Sequence, residues 1–472
     1  MSTTAIVWFR RDLRLHDHPA LVAACREHER VIPLFVFDDQ LLHGRYASPA
    51  RARFMLGCLR ALDAALRELG SGLVVRHGTP EREVVAVAGE TGARAVLWTS
   101  DVAPYARRRD REVTAALRDA GIEAEPHGGG YLVDPSRPRT QGGKPYTVFT
   151  PFWRSIAEGE RRPVHGAPSA LAPLPSSLRK GRIPSAAALN IDNSEVPEPV
   201  VEPGEAAARM ALERWLRADL DRYADRHDAL SDPGTSVLSP YLRWGCLSAR
   251  ECEERAQRHG GAGAAAFIRQ LAWRDFYAHQ LLMYPKNVGQ EFQERYRGLR
   301  WAVDAEGLAA WKAGQTGYPL VDAGMRQLAR TGWMHNRARL VVGSFLTKDL
   351  HIDWREGEHH FACLLLDGEP AQNNGNWQWI ASVGADPAPY FRRLFNPMLQ
   401  QRKFDPDGCY VRTWVPELAD VPDAKLAEPW TMSDDEQAAV GCVIGTDYPA
   451  PIVDHAHERE VAKQRYSEAA GR

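Results

Sequence analysis

From Ala5 to about residue 130, short β-branched apolar runs alternate with longer segments of helical period. Ala5–Phe9, Val31–Phe37, Leu73–Arg76 and Ala95–Thr99 read as strands, with Ala50–Leu69 and Arg107–Ala120 as helices between them. That alternation predicts a mostly parallel sheet with helices on both faces. No GxGxxG follows the first strand, so a Rossmann-like layering without ordinary NAD binding is expected. From Gly159 to Pro203 periodicity fades and eight prolines appear, which marks a long connector. Beyond Glu205 the pattern turns helical: Ala206–Tyr223, Gly263–Met283, Pro319–Arg330, Trp333–Leu346 and Arg355–Leu366 all carry the 3.6-residue period. The expected organisation is an α/β domain over 1–130, an interdomain linker over 131–205 and an all-helical domain over 206–472.

At 472 residues the chain has room for two or three domains with ample core. Its 44% apolar and 25% charged residues are those of an ordinary globular protein. A formal charge of −2 excludes a generally basic nucleic-acid coat and leaves a local basic face as the way to hold DNA. No apolar run approaches the roughly 18 residues of a membrane span, and the start runs into a strand rather than a signal peptide. A cytoplasmic location with no membrane partner is expected. The seven scattered cysteines contain no CxxC pair, so neither a disulfide framework nor a metal is expected.

Four stretches carry chemistry. Gly234-Thr-Ser-Val-Leu-Ser-Pro-Tyr241 is a hydroxyl-bearing turn entering a helix, suited to a pyrophosphate, though taken alone it reads first as a plain helix cap. On the second, Gln270, Trp273, Arg274 and Tyr277 share one helix face at i, i+3, i+4 and i+7. An amide, an indole, a guanidinium and a phenol make a poor core stripe and a good pocket floor for stacking one base and hydrogen-bonding another. The third, Thr331-Gly-Trp-Met-His-Asn-Arg-Ala-Arg339, places Asn336 and Leu340 on one face and offers Arg337 and Arg339 to phosphate or carboxylate partners. The fourth, Asp367-Gly-Glu-Pro-Ala-Gln-Asn-Asn-Gly-Asn-Trp-Gln-Trp379, packs two acids, three asparagines and two tryptophans into thirteen positions. Core packing does not ask for that mixture, because every buried amide and carboxylate needs a partner. A polar cofactor that gains hydrogen bonds and stacking does.

With Trp301 and Trp354 upstream, these stretches resemble the photolyase/cryptochrome family, and the likeness runs the length of the chain. It begins at Ile6-Val-Trp-Phe-Arg-Arg-Asp-Leu-Arg-Leu-His-Asp-His18, includes Thr316-Gly-Tyr-Pro-Leu-Val-Asp-Ala323 and Lys348-Asp-Leu-His-Ile-Asp-Trp-Arg-Glu-Gly357, and closes at Tyr448-Pro-Ala-Pro-Ile-Val-Asp454. The resemblance is nearest to the class I photolyases of cyclobutane pyrimidine dimers. It implies an α/β antenna domain joined to an all-helical FAD-binding domain. It also implies light-driven repair, in which excited reduced FAD passes an electron to a dimer flipped out of UV-damaged DNA. A monomer is expected.

The resemblance assigns residues as well. Tyr223, Thr235, Ser236, Val237, Leu238, Ser239, Arg274, Arg339, Asp367, Gly368, Glu369 and Asn373 would hold FAD. Asp367 would pair with Arg274 or the flavin edge, and Asn373 would sit beside the redox-active nitrogen. Trp377, Trp354 and Trp301 match the electron-feeding chain. Gln270, Trp273, Tyr277, Asn336, Arg337, Leu340, Trp379, Arg392 and Lys403 would meet the DNA, with Trp273 and Trp379 stacking the flipped bases.

Two positions depart from the cyclobutane pattern. Gln270 stands where a glutamate is usual, and Leu340 where a methionine is. Glutamine still donates to a carbonyl and accepts from a ring N–H, so weakened rather than abolished dimer binding is expected. The (6-4) photolyases share the glutamine but carry a histidine at the position of Asn336. A blue-light receptor is the alternative from another class. Ser48-Pro-Ala-Arg-Ala-Arg-Phe-Met-Leu-Gly-Cys58 and Asp101-Val-Ala-Pro-Tyr-Ala-Arg-Arg-Arg-Asp110 look like photolyases that take an 8-hydroxy-5-deazaflavin antenna, with Arg51, Asp101 and Arg243 as contacts. A methenyltetrahydrofolate antenna, or none, is the rival.

Overall fold

The computed structural model describes residues 3–192, 199–231 and 234–471. Residues 193–198, within the proline-rich connector, lie outside that description. Five parallel strands, β1 (Thr4–Phe9), β2 (Arg30–Phe37), β3 (Val74–His77), β4 (Ala95–Thr99) and β5 (Glu123–His127), form one sheet in the order β3-β2-β1-β4-β5. The order reverses at β1, where the connections turn from one side to the other, as in doubly wound sheets. Along β1, Ala5, Val7 and Phe9 enter one apolar core while Ile6 and Trp8 enter the other, the two-residue period of a strand buried on both faces. The strand missing from the sequence reading is β5. Its Glu-Ala-Glu-Pro-His is polar and partly exposed, so it offers no apolar run to detect.

Helices α1 (Pro19–Glu27), α2 (Pro49–Glu68), α3 (Pro80–Thr91) and α4 (Pro104–Asp119) each begin with a proline just inside the first turn. There its fixed φ helps and its missing N–H costs nothing. They are followed by α5 (Phe149–Ala157), α6 (Glu205–Ala218), α7 (Gly261–Met283), α8 (Pro319–Thr331), α9 (Asn336–Ser344), α10 (Trp354–Leu364) and α11 (Pro370–Ile380). The helix expected over Trp333–Leu346 starts three residues later. Gly332 turns left-handed (φ 66°) to end α8, and His335 caps α9 with its imidazole, whose Nδ1 accepts from the Arg337 N–H at 3.1 Å. No helix among the described residues is long and apolar enough to cross a membrane.

Packing divides the chain into two compact units: Met1–Ala224 with Ser236–Pro285 and Leu366–Ala371, and Asp225–Thr235 with Lys286–Leu365 and Gln372–Arg472. Within the first unit, α6 and α7 pack into the same apolar core as one face of the sheet. The second unit has its own core around Trp311, Phe345, Trp354 and Val411.

Candidate active site

In the first unit, α7 presents the expected stripe with unequal exposure. Gln270 is exposed, Trp273 and Arg274 are half-buried, and Tyr277 is buried. The Trp273 indole lies flat on Phe149 from α5, with ring centroids 3.7 Å apart and planes within 7°. Phe149 is not legible in the sequence, where it is one apolar residue at a helix start. Tyr277, buried, stands 5.7 Å from Trp273, its ring tilted 34° to the indole.

Tyr223 is buried edge-on to Trp215 at 5.4 Å. The loop after it carries the signature of an anion cradle. Val237 takes a left-handed φ of 50°, followed by Leu238 at φ −85°, ψ −6°. A left-handed residue beside a right-handed one turns successive N–H groups into one concavity, which binds oxyanions. The strain of a β-branched residue at positive φ argues that this shape is required. Thr235 and Ser236 flank it half-buried, and Ser239 opens the short helix Ser239–Trp244.

Segment 366–371 is fixed by charge. Arg274 Nε lies 3.2 Å from Glu369, Tyr131 donates to the same carboxylate at 3.0 Å, and Arg11 reaches it at 3.5 Å. Arg243 Nε donates to the Gly368 carbonyl at 2.8 Å. Burial alone would raise the Glu369 pKa, but Arg274, Arg11 and Arg243 hold it below the ordinary value. Glu369 is thus a carboxylate on Arg274. Two antenna candidates belong to this network. Asp101 pairs with Arg11 at 3.0 Å; burial opposes its ionisation, yet Arg11 brings its pKa down to about 2. The cavity between Asp101, Arg243 and Arg274 is about 30 Å³, room for a water rather than a chromophore. Arg51, near the start of α2, donates to the Tyr46 carbonyl.

In the second unit, Asn336 is exposed at the first position of α9, with Leu340 one turn on and half-buried. Arg337 is ion-paired with Asp228 and lies 4.1 Å over the Phe404 ring, while Arg339 Nε donates to the Met334 carbonyl at 2.8 Å. Arg392 and Lys403 are exposed. Neither Asp228 nor Phe404 is legible as a partner, since both are distant from Arg337 in sequence.

Asn373 on α11 donates its Nδ2 to the Glu358 carbonyl at 2.8 Å, which fixes the amide and leaves Oδ1 as its accepting end. Trp377 is buried edge-on to Phe361 (5.0 Å) and Trp311 (6.2 Å). Trp354 is fully buried, its Nε1 3.3 Å from Glu291. Trp301 is half-buried beside the bridge that joins Ala302 to Ile352, two residues ahead of Trp354. The three candidate relay tryptophans therefore lie in one unit, Trp377 and Trp354 buried and Trp301 partly exposed. Trp311, which no sequence motif singles out, touches Trp377 but spends its N–H on the Val342 carbonyl at 3.0 Å.

An FAD fits the groups present. The cradle at Ser236–Leu238 suits its pyrophosphate, and the Asn373 Oδ1 suits a ring N–H. Tyr223, Thr235, Ser239, Arg339, Asp367, Gly368 and Glu369 supply further polar groups of the kind a dinucleotide needs. A doubly wound parallel sheet followed by a helical second half defines an α/β protein with a large helical part. The chain belongs to the DNA photolyase family: the description "DNA photolyase" matches residues 5–173, and "FAD binding domain of DNA photolyase" matches 267–468. It is 43% identical over 472 residues to the deoxyribodipyrimidine photo-lyase of Streptomyces griseus, with 99% of each chain covered. Among solved structures it is similar to a bacterial class III photolyase from Agrobacterium tumefaciens, with TM-score 0.92, 35% identity and coverage of 100% of this chain and 98% of that one. It is also similar to the cryptochrome of Synechocystis sp. PCC6803, with TM-score 0.90, 30% identity and 98% and 99% covered.

Proposed function

We propose that this chain is a light-driven lyase that splits cyclobutane pyrimidine dimers in UV-damaged DNA. The observation that carries the reading is Trp273, an indole laid flat on Phe149 beside the exposed amide of Gln270. A rigid ring next to a free donor–acceptor is what a flipped pyrimidine pair needs, and a receptor signalling to a protein has no use for it. Bound FAD supplies the light-driven one-electron chemistry. The chain's own residues bind, orient and shield. The Ser236 and Val237 amides and the hydroxyls of Thr235 and Ser239 would take the pyrophosphate, with the Leu238 N–H donating to Ser236 Oγ at 3.4 Å. Asn373, tied to Glu358, presents a neutral acceptor that neither gives nor takes a proton. Trp273 and Trp379 stack the lesion while Gln270 and Asn336 hydrogen-bond its edges. Arg337, Arg392 and Lys403 supply phosphate contacts, which position without reading sequence; Arg337 must exchange Asp228 for phosphate to do so. Trp301, Trp354 and Trp377 are the oxidisable rings leading inward from the surface.

Residues 1–130 serve as the antenna domain, 131–205 as the linker and 206–472 as the catalytic domain. The antenna is 8-hydroxy-5-deazaflavin, held near Arg51. Extraction of the purified protein tests this, and recovery of folate alone would remove it. The working form is a cytoplasmic monomer.

The deciding experiment uses an oligonucleotide with one cis-syn thymine dimer, anaerobically reduced protein, blue light and a dark control. Light-dependent recovery of intact thymines is expected. Failure with FAD bound and photoreducible would favour (6-4) repair or photosensing instead.

A further inference from the structure

Arg393 is almost fully buried (2% exposed), although a buried guanidinium is costly unless every group around it is matched. It lies 4.1 Å over the Trp379 ring. Its Nη1 donates to the Trp379 carbonyl at 3.0 Å and its Nη2 to Asp386 at 2.5 Å. The same Asp386 accepts from the Trp379 indole N–H at 3.2 Å. Arg393, Asp386 and Trp379 thus close a ring of contacts that fixes one face and the polar edge of the indole. The arginine is held from below. Its carbonyl accepts from Lys348 Nζ at 2.9 Å and from Ser344 Oγ at 3.1 Å, and Lys348 also donates to Ser382 at 2.9 Å. Lys348 and Arg393 are buried side by side, Lys348 beside the buried Asp349 and Arg393 against the partly exposed Asp386, and a buried charge cluster of this kind is weak evidence of a purely stabilising role.

We propose that Arg393 is a positioning residue for lesion recognition: it backs Trp379 on one face, with Asp386 at the edge, so that the other face is a preorganised stacking platform for one base of the damaged pair. This rests on the reading of Trp379 as a lesion-stacking residue. A planar guanidinium can stack on the ring and bridge the Trp379 carbonyl and Asp386 at once, which an ammonium cannot. The ring is then ordered before DNA arrives, and binding does not have to supply that ordering. The expected signature is a loss of affinity for damaged DNA with the light-driven step intact.

The test is a double-mutant cycle on the FAD-loaded protein, with Arg393→Met, Trp379→Ala and the pair, measuring binding to dimer-bearing and undamaged oligonucleotides and repair at saturating DNA. Arg393→Met is expected to weaken dimer binding about tenfold and to leave undamaged-DNA binding and saturated repair near wild type. In the Trp379→Ala background the same change is expected to do almost nothing further. Arg393→Lys, which keeps the charge and most of the volume, guards against a folding defect and is expected to fall between. Equal losses in both backgrounds, or none in either, would overturn the proposal. An unchanged dimer affinity in Trp379→Ala alone would instead remove the reading of Trp379, separately from Arg393.

Discussion

Trp377 occupies the space that a side chain at Gly357 would need: a Cβ there would overlap the six-membered ring of the indole. Gly357 lies on α10, one turn beyond Trp354, so its bare backbone is what lets Trp377, the inner ring of the proposed relay, lie against the helix that carries Trp354. Gly357→Ala is expected to push Trp377 out of place and slow flavin photoreduction, while repair by chemically reduced protein persists. Trp377→Phe is expected to block photoreduction under the same conditions. Transient absorption after a blue flash checks both, and wild-type kinetics in the pair would place the relay elsewhere.

Asn373 is an amide for two reasons. Its Nδ2 satisfies the Glu358 carbonyl, and its Oδ1 remains neutral. An aspartate would set a carboxylate against that carbonyl with no proton between them. Asn373→Asp is therefore expected to cost about 1–3 kcal/mol in stability and to make the reduced flavin less persistent. Chemical denaturation and flavin reoxidation in the dark measure the two effects, and an unchanged flavin would remove the assignment.

Gln270 is exposed on the surface of α7 next to Trp273. Gln270→Glu is expected to tighten binding of a thymine-dimer oligonucleotide several-fold, through a charge-assisted hydrogen bond worth about 1 kcal/mol more than a neutral one. Titration of the oligonucleotide with each protein decides, and equal affinities would mean that this face does not meet the lesion.

Asp275, one residue past Arg274, is fully buried; burial raises its pKa to about 7 despite the Val133 N–H on Oδ2 at 3.0 Å. An acid whose folded pKa lies above its unfolded value is best tolerated while protonated. Its contribution is full below the unfolded pKa of 3.8 and is lost as pH rises towards 7, at a slope of about 1.4 kcal/mol per pH unit. Asp275→Asn keeps an acceptor for Val133 and removes the titration. Its denaturation midpoint is expected to fall less than the wild type's between pH 4 and 7, which parallel urea titrations would show.

The layer architecture is legible in the chain's pattern alone, because apolar period follows secondary structure: two for the strands of the sheet, 3.6 for the helices of the second half. The residue types of the site are legible there too. A run such as Asp367 to Trp379 has no place in an ordinary core, and its glycines and amides keep their meaning wherever the chain carries them. Folding alone settles who partners whom. Glu369 meets Arg274, Phe149 underlies Trp273, Asp228 holds Arg337, and the arginine on Trp379 is Arg393, next in the chain to the exposed Arg392. It also added β5, whose polar strand is paired along one side by β4. The physical reason is common to all of these. Periodicity and composition are local properties of the chain, whereas stacking, ion pairing and edge pairing join residues that are far apart in sequence and come together only when the core closes.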